Sequence, residues 1–419
     1  MNLTDYLSAE WRPALGCTEP AAVALAACLA AGQGRGEPRM VRLVLDARTY
    51  KNCHAVGIPN SERKTGVLWA VALGAVLPDS GKGLQIFEAL TPEALVRAGR
   101  LLDQGAVHVE VDASRADLHI DCTVACEGGV GRAVMEQEHT RLTRLEADGV
   151  ARPVPGTAAG PDAQDSVRER VGALPLADLV ALAGTITEPD RVRLREGLAL
   201  NLAMAEHCVD HLPAGFVPGA GADPWLRIPR LVSAGVLGRM SGEPLTVMSL
   251  AGSGNKGITV SVALGLWGRQ NGHPEARIEE ALALACLLTT ATTQRLGTLS
   301  AICGASNAAG IGIAVGLVHL GGGTLTQMDL AINNMVGNLA GLICDGAKIG
   351  CAMKAMTGVE AAFRSATLAL SGFGIPGTDG IVGRDGTASL ANLGRLAQRG
   401  MAGTDTEILD IMRAKLGPA

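Results

Sequence analysis

The sequence predicts an α+β protein: an N-terminal α/β domain with a mainly antiparallel sheet, followed by a large all-α domain. Three observations carry this expectation. Apolar and polar residues alternate with the period of a strand at residues 41–48, 107–111, 118–124 and 131–137. Residues 147–167 then turn to Gly, Pro, Ala and Asp, the clearest linker in the chain. Beyond it almost every segment is helical in character. The expected organisation is therefore residues 1–150 as the α/β domain, 151–166 as linker and 167–419 as the all-α domain.

Within the first domain, residues 4–33 read as helix broken at Pro13 and resumed after Pro20, where an Ala-rich run is a strong helix former. The strand at 41–48 is followed by a polar loop from Tyr50 to Ser61. Residues 65–77 and 91–104 read as helices, the second with Thr91 as cap and Pro92 at the first helical position. The strands at 118–124 and 131–137 flank a hairpin at residues 124–129. In the second domain, residues 296–320 are long enough to span a membrane and carry no Lys, Arg, Asp or Glu. They are rich in Ser, Asn, Thr and Gly, so a buried helix is the better reading.

The 419 residues are 47% hydrophobic yet only 2% aromatic, with 55 glycines, so the interior must be built from Ala, Gly, Leu and Val. A formal net charge of -5 and the lack of a long basic run argue against nucleic acid as a partner. No membrane partner is expected, and the small-residue apolar content is compatible with a homodimer. The first ten residues carry neither a basic region nor an apolar core of a secretory signal, which places the expected location in the cytoplasm. Ten cysteines are too sparse for a disulfide scaffold, and in a reducing compartment metal or catalytic roles come first.

Three of those cysteines stand in glycine-punctuated apolar surroundings: Cys303, Cys344 and Cys351. On an unbroken helix Cys344 and Cys351 would share a face about 10 Å apart along the axis, which is long for one small cluster. Gly346 and Gly350 would let the backbone turn inward. Iron–sulfur clusters usually take four thiolates, and a set of three leaves one iron open to substrate. The same thiols could equally fill a small-residue core. Cys17 precedes an expected helix start, where the unsatisfied N–H groups would favour a thiolate and make it a low-pKa base or nucleophile. A plain turn cysteine fits as well. Ser253, Asn255 and Lys256 lie in a glycine-rich loop feeding a helix, able to present N–H groups to an anion. His207 and His211 are four apart on a helix, but without a neighbouring glutamate motif they make a poor metal pair.

The segments Pro13-Ala-Leu-Gly-Cys17-Thr-Glu-Pro20, Leu299-Ser-Ala-Ile-Cys303 and Cys344-Asp-Gly-Ala-x3-Cys351-Ala-Met-Lys354 together resemble the L-cysteine desulfidase family, related to the alpha portion of iron–sulfur L-serine dehydratases. The likeness covers nearly the whole chain. It implies a 4Fe-4S cluster held by Cys303, Cys344 and Cys351 with one non-cysteinyl iron, and β-elimination of cysteine to sulfide, ammonia and pyruvate without pyridoxal phosphate. It also implies that Cys17 abstracts the α-proton and that Lys51, Asn52, Asn60, Ser253, Asn255 and Lys256 hold the small amino acid substrate. Lys256 stands where the family usually has Gln, adding a positive charge near the site. Rival readings are a serine- or threonine-type dehydratase, a cluster-based redox sensor without turnover, and pyridoxal phosphate catalysis through Lys256.

Overall fold

A computed structural model of the chain describes residues 1–78, 81–115, 117–137, 139–154, 163–297 and 300–414. The heart of the expected linker, residues 155–162, and Leu299 of the motif before Cys303 lie outside the described residues. The first half contains α1 (Leu3–Glu10), β1 (Trp11–Leu15), α2 (Thr18–Ala31), β2 (Pro38–Asp46), α3 (Ala47–Cys53), α4 (Gly66–Val76), α5 (Pro92–Asp103), β3 (Val107–Asp112), β4 (His119–Cys126), β5 (Gly129–Glu136), β6 (Leu142–Ala147) and β7 (Val150–Ala151). The second contains α6 (Ala163–Ala173), α7 (Leu176–Ala183), α8 (Glu188–His207), α9 (Pro224–Ser241), β8 (Thr246–Leu250), α10 (Gly254–Gln270), α11 (Glu275–Leu296), α12 (Asn307–Leu320), α13 (Leu325–Leu339), α14 (Cys351–Leu370), α15 (Gly386–Arg395) and α16 (Thr404–Ala414). The α+β class read from the sequence holds.

The main sheet runs β3-β2-β4-β5-β6-β7 and is antiparallel except for the β2/β3 pair. Its apolar face is covered by α2 and α4. The Ala-rich sequence of α2 has a direct consequence here. A Cβ on Gly74 of α4 would stand 2.2 Å from the Ala24 carbonyl oxygen of α2, so these backbones touch where larger side chains would hold them apart. In the helical half, α12 is buried along its whole length and packs against α10, α11, α13 and α14. A helix apolar all round belongs in such a centre. The stretch 296–320 is thus not one helix: α11 ends at Leu296 and α12 begins at Asn307. Among the described residues no helix is long and apolar enough to cross a membrane.

Two sequence expectations change. Residues 11–15, read as the end of a helix broken at Pro13, form β1, which pairs antiparallel with β8 from Trp11↔Leu250 to Leu15↔Thr246. Pro13 is tolerated because this sheet has only two strands and both are edges. Residues 47–53, read as the end of the strand at 41–48 and the start of the loop from Tyr50, form α3, capped by Asp46 accepting from the Arg48 and Thr49 N–H groups. Both chain ends contribute to a core formed mainly by the other half of the chain. Leu3, Tyr6, Leu7 and Trp11 belong to the core of the helical half, whereas Ile408, Leu409 and Met412 of α16 pack into the core beneath the sheet.

Candidate functional site

The cysteine region is assembled by backbone hydrogen bonds. Residues 301–303 run antiparallel to residues 342–344: the Cys303 N–H donates to the Leu342 carbonyl at 2.9 Å and the Cys344 N–H to the Ala301 carbonyl at 2.7 Å. Ile302 and Ile343 form the bridging pair, so strand alternation puts Cys303 and Cys344 on the opposite, common face. Directly after Cys344 the chain reverses at Gly346, whose φ of 98° is left-handed. A Cβ at Gly346 would also lie 2.2 Å from the Lys51 carbonyl oxygen. Gly350, in contrast, has an ordinary helical φ of -58°, and Cys351 opens α14 behind it. The unbroken helix considered for Cys344 and Cys351 is therefore absent, and Gly346 alone makes the turn.

Cys303, Cys344 and Cys351 are free thiols within electrostatic reach of one another. Burial pushes the Cys351 thiol up to about 11, with Cys303 and Cys344 adding to the effect. The Cys303 thiol is likewise raised by burial and then by Cys344. Thiols this hard to ionise alone become thiolates when a metal takes the proton's place. Among the described residues no three His, Cys, Asp or Glu side chains could hold a metal ion as they stand. The three thiols stand on or beside backbone held by hydrogen bonds, and thiolates are the ligands that iron–sulfur clusters take. Beside them the Asn307 amide oxygen is buried with no partner among the described residues, while its NH₂ donates to the Cys303 carbonyl at 3.3 Å.

Charged groups frame this region. Burial would raise the Asp345 carboxyl, but hydrogen bonds from Lys348 and Lys354 hold it below the ordinary range. From the other half of the chain, Lys51 Nζ donates to the Cys344 carbonyl at 3.0 Å and pairs with Asp405 of α16. Lys256 runs over Gly304, next to Cys303, and its Nζ donates to the Ala251 carbonyl at 2.8 Å and to Thr293 Oγ1 at 3.0 Å. Burial, reinforced by the Arg168 cation, lowers its pKa to about 7. The full positive charge expected of Lys256 is thus reduced to a part-neutral amine at neutral pH.

Cys17 lies on the turn from β1 to α2 as the N-cap residue, but its side chain makes no cap hydrogen bond. Sγ donates instead to Glu19 Oε2 at 3.0 Å. Burial drives the thiol pKa well up and the Glu19 charge drives it further, with Arg239 and the Glu19 backbone N–H opposing. The low-pKa thiolate expected from the helix terminus is overturned: desolvation outweighs the helix end, and Cys17 rests as a thiol. Arg239 of α9 joins this turn to the glycine-rich loop, donating from Nη2 to the Gly16 carbonyl at 2.8 Å and from Nη1 to Asn255 Oδ1 at 3.0 Å. That loop is a two-residue reversal, Leu250 pairing with Ser253 across Ala251 and Gly252 at φ 47° and 75°.

The fold therefore gathers Cys303, Cys344 and Cys351 with Lys51 and Lys256, and places Cys17 with Asn255 one residue along α10. Ser253 is the N-cap residue of α10, without a side-chain cap hydrogen bond, and Asn52 is buried on α3, where Cys53 lies within electrostatic reach of Cys17. Asn60 stands apart: it is exposed, at φ 57°, and its amide donates to the Phe87 carbonyl at 3.1 Å. Two residues were missed from the sequence. Glu19 was in plain view two positions after Cys17. Arg239, a lone cation on a buried apolar helix face, carried the only signal available for it.

Residues 163–410 match the family model described as serine dehydratase alpha chain. The chain belongs to the serine dehydratase alpha chain family. It is 37% identical over 433 aligned residues to a UPF0597 protein of Desulfotalea psychrophila, covering 99% of this chain and 98% of that one. A UPF0597 protein of Geobacter sulfurreducens is 35% identical over 98% of both chains. Another from Clostridioides difficile is 33% identical, covering 97% of this chain and 98% of its own. Membership makes the protein one of a dehydratase or lyase family that implies an iron–sulfur cluster and no pyridoxal phosphate.

Proposed function

We propose that the protein is an iron–sulfur β-elimination lyase that converts L-cysteine to pyruvate, ammonia and sulfide without pyridoxal phosphate. The observation that carries this reading is the meeting of two groups at the start of α10: Lys256 within reach of Cys303 and Cys344, and the Cys17–Glu19 pair tied to Asn255 through Arg239.

Cys303, Cys344 and Cys351 would hold a 4Fe-4S cluster whose one non-cysteinyl iron supplies Lewis acidity for the leaving group. Glu19 takes the Cys17 proton along the existing Sγ to Oε2 hydrogen bond, leaving a thiolate beside Arg239. That thiolate removes the α-proton of the substrate as the C–S bond breaks and hydrosulfide leaves. The enamine product hydrolyses to pyruvate and ammonia. Ser253, Asn255, Lys256 and Asn52 orient the amino acid. Lys51 and Asn60 complete the proposed holding set, their side chains donating in the substrate-free protein to the Cys344 and Phe87 carbonyls.

The description of the matching family favours a second reading, elimination of water from serine. The same residues serve, with hydroxide leaving in place of hydrosulfide. A substrate panel assayed for sulfide and for oxo-acid separates the two: sulfide from cysteine at a higher kcat/KM than oxo-acid from serine supports the first, the reverse supports the second, and no product from any amino acid overturns both.

A further inference from the structure

The β5–β6 hairpin leaves the sheet after Glu136, whose N–H donates to the Arg141 carbonyl at 3.1 Å, and Gln137 is pinned by its N–H to the Leu118 carbonyl at 2.9 Å. At its tip His139 turns inward. Its Nε2 is shielded from solvent and has no hydrogen-bond partner among the described residues. An unpartnered buried ring nitrogen is costly, and retention of one asks for a ligand.

His139 lies within electrostatic reach of Glu19, Asp46 and Arg168. The first of these is the acceptor of the Cys17 thiol, so His139 and Cys17 share a neighbour. Arg168 lies against the reversal before α10, 3.1 Å from where a Cβ of Gly252 would stand. His139 thus shares Glu19 with the Cys17 turn and Arg168 with the reversal that precedes Ser253. Its neighbours are already engaged. Asp46 accepts from the Arg48, Thr49 and His119 N–H groups, and Arg168 donates to Glu10 at 2.8 Å.

We infer that His139 is a substrate-binding residue of this site, its Nε2 accepting a hydrogen bond from the α-ammonium group of the amino acid. This rests on the lyase reading above and adds to it the group that recognises the amino function. Two carboxylates, Glu19 and Asp46, face the ring against one cation, Arg168, which is itself paired with Glu10, so the balance of charge favours a cation there. Burial lowers the imidazole pKa, which keeps the ring neutral and able to accept. An ammonium held here sits next to the carbon whose proton Cys17 removes.

The test uses L-alanine, which has no leaving group, against propionate, the same molecule without the amino group. Anaerobic calorimetry on the cluster-loaded wild type should give tighter binding of L-alanine. In His139→Ala, L-alanine affinity should fall by about tenfold or more, as expected for losing a hydrogen bond to a charged group, while propionate is unchanged. His139→Phe fills the volume without an acceptor and should behave alike, whereas His139→Gln, with a carboxamide oxygen, should recover part of the loss. Equal losses for both ligands in the Ala and Phe variants, unchanged L-alanine affinity, or a wild type that binds neither ligand or does not distinguish them would overturn the inference. A wild type that discriminates the two ligands through His139 but yields no oxo-acid from any amino acid would sink the lyase reading alone.

Discussion

Lys51 Nζ donates a 3.0 Å hydrogen bond to the carbonyl of Cys344. One of the three grouped cysteines is therefore held by a helix from the far half of the chain. The lysine side chain is only 1% exposed and is balanced by Asp405, which also has Arg48 at 3.4 Å. Lys51→Met removes the donor and leaves a part-buried carboxylate with the weaker partner. The expected loss is about 2–4 kcal/mol of unfolding free energy in denaturant, together with lower iron content after reconstitution. Unchanged iron content would separate Lys51 from the cysteine region.

Gly346 and Gly350 flank the same turn and should respond oppositely. Gly346→Ala places a Cβ 2.2 Å from the Lys51 carbonyl oxygen in a left-handed backbone at φ 98°, and should cost at least ~2 kcal/mol and impair cluster incorporation. Gly350→Ala meets nothing closer than the flexible end of Lys348 at 3.9 Å, in helical backbone, and should be neutral or stabilise by up to about 1 kcal/mol. Thermal melts of the two variants against wild type check both.

Variants of the two cysteine groups should divide cleanly. Cys344→Ala is expected to abolish activity and cluster absorbance together. Cys17→Ala should abolish activity and keep the absorbance. Glu19→Gln, which keeps the shape but cannot take the thiol proton, should lower kcat by about 10²–10⁴-fold with iron content unchanged. Visible spectra and elimination rates on the three proteins decide it, and loss of the cluster in Cys17→Ala would refute the base assignment.

Lys256 makes stability depend on pH in a defined window. Its folded-state pKa of about 7 lies below the value of about 10.4 for an unfolded lysine. Between those values the unfolded chain binds a proton that the folded chain does not, so stability rises with pH from about 7 to about 10.4 and the contribution is flat below. In metal-free protein the unfolding free energy of wild type should gain on that of Lys256→Met as pH is raised from 7 to 10. Parallel profiles would mean the ammonium stays charged when buried.

What the sequence disclosed and what it hid follow from the range of the interactions. Strands β2, β4 and β5 and the Thr91-capped α5 were legible because period and capping are local. β1 was not, because its five residues are strand only by pairing with β8, more than two hundred residues away. α3 read mostly as a loop because its polar residues suit a loop by composition, and the burial of Lys51 depends on α16 and the Cys344 turn. At the site, Cys303, Cys344 and Cys351 could be picked out by their glycine context and the family likeness. The protonated state of Cys17 could not, since its desolvation comes from elements remote in sequence.

The most direct test of the central claim is an anaerobic assay of iron and acid-labile sulfide, with the visible spectrum recorded before and after adding L-cysteine. The account expects about four irons per chain and a spectral shift on addition, as for a cluster with one iron open to substrate. No iron after anaerobic reconstitution would contradict it and return Cys303, Cys344 and Cys351 to the packing of a small-residue core.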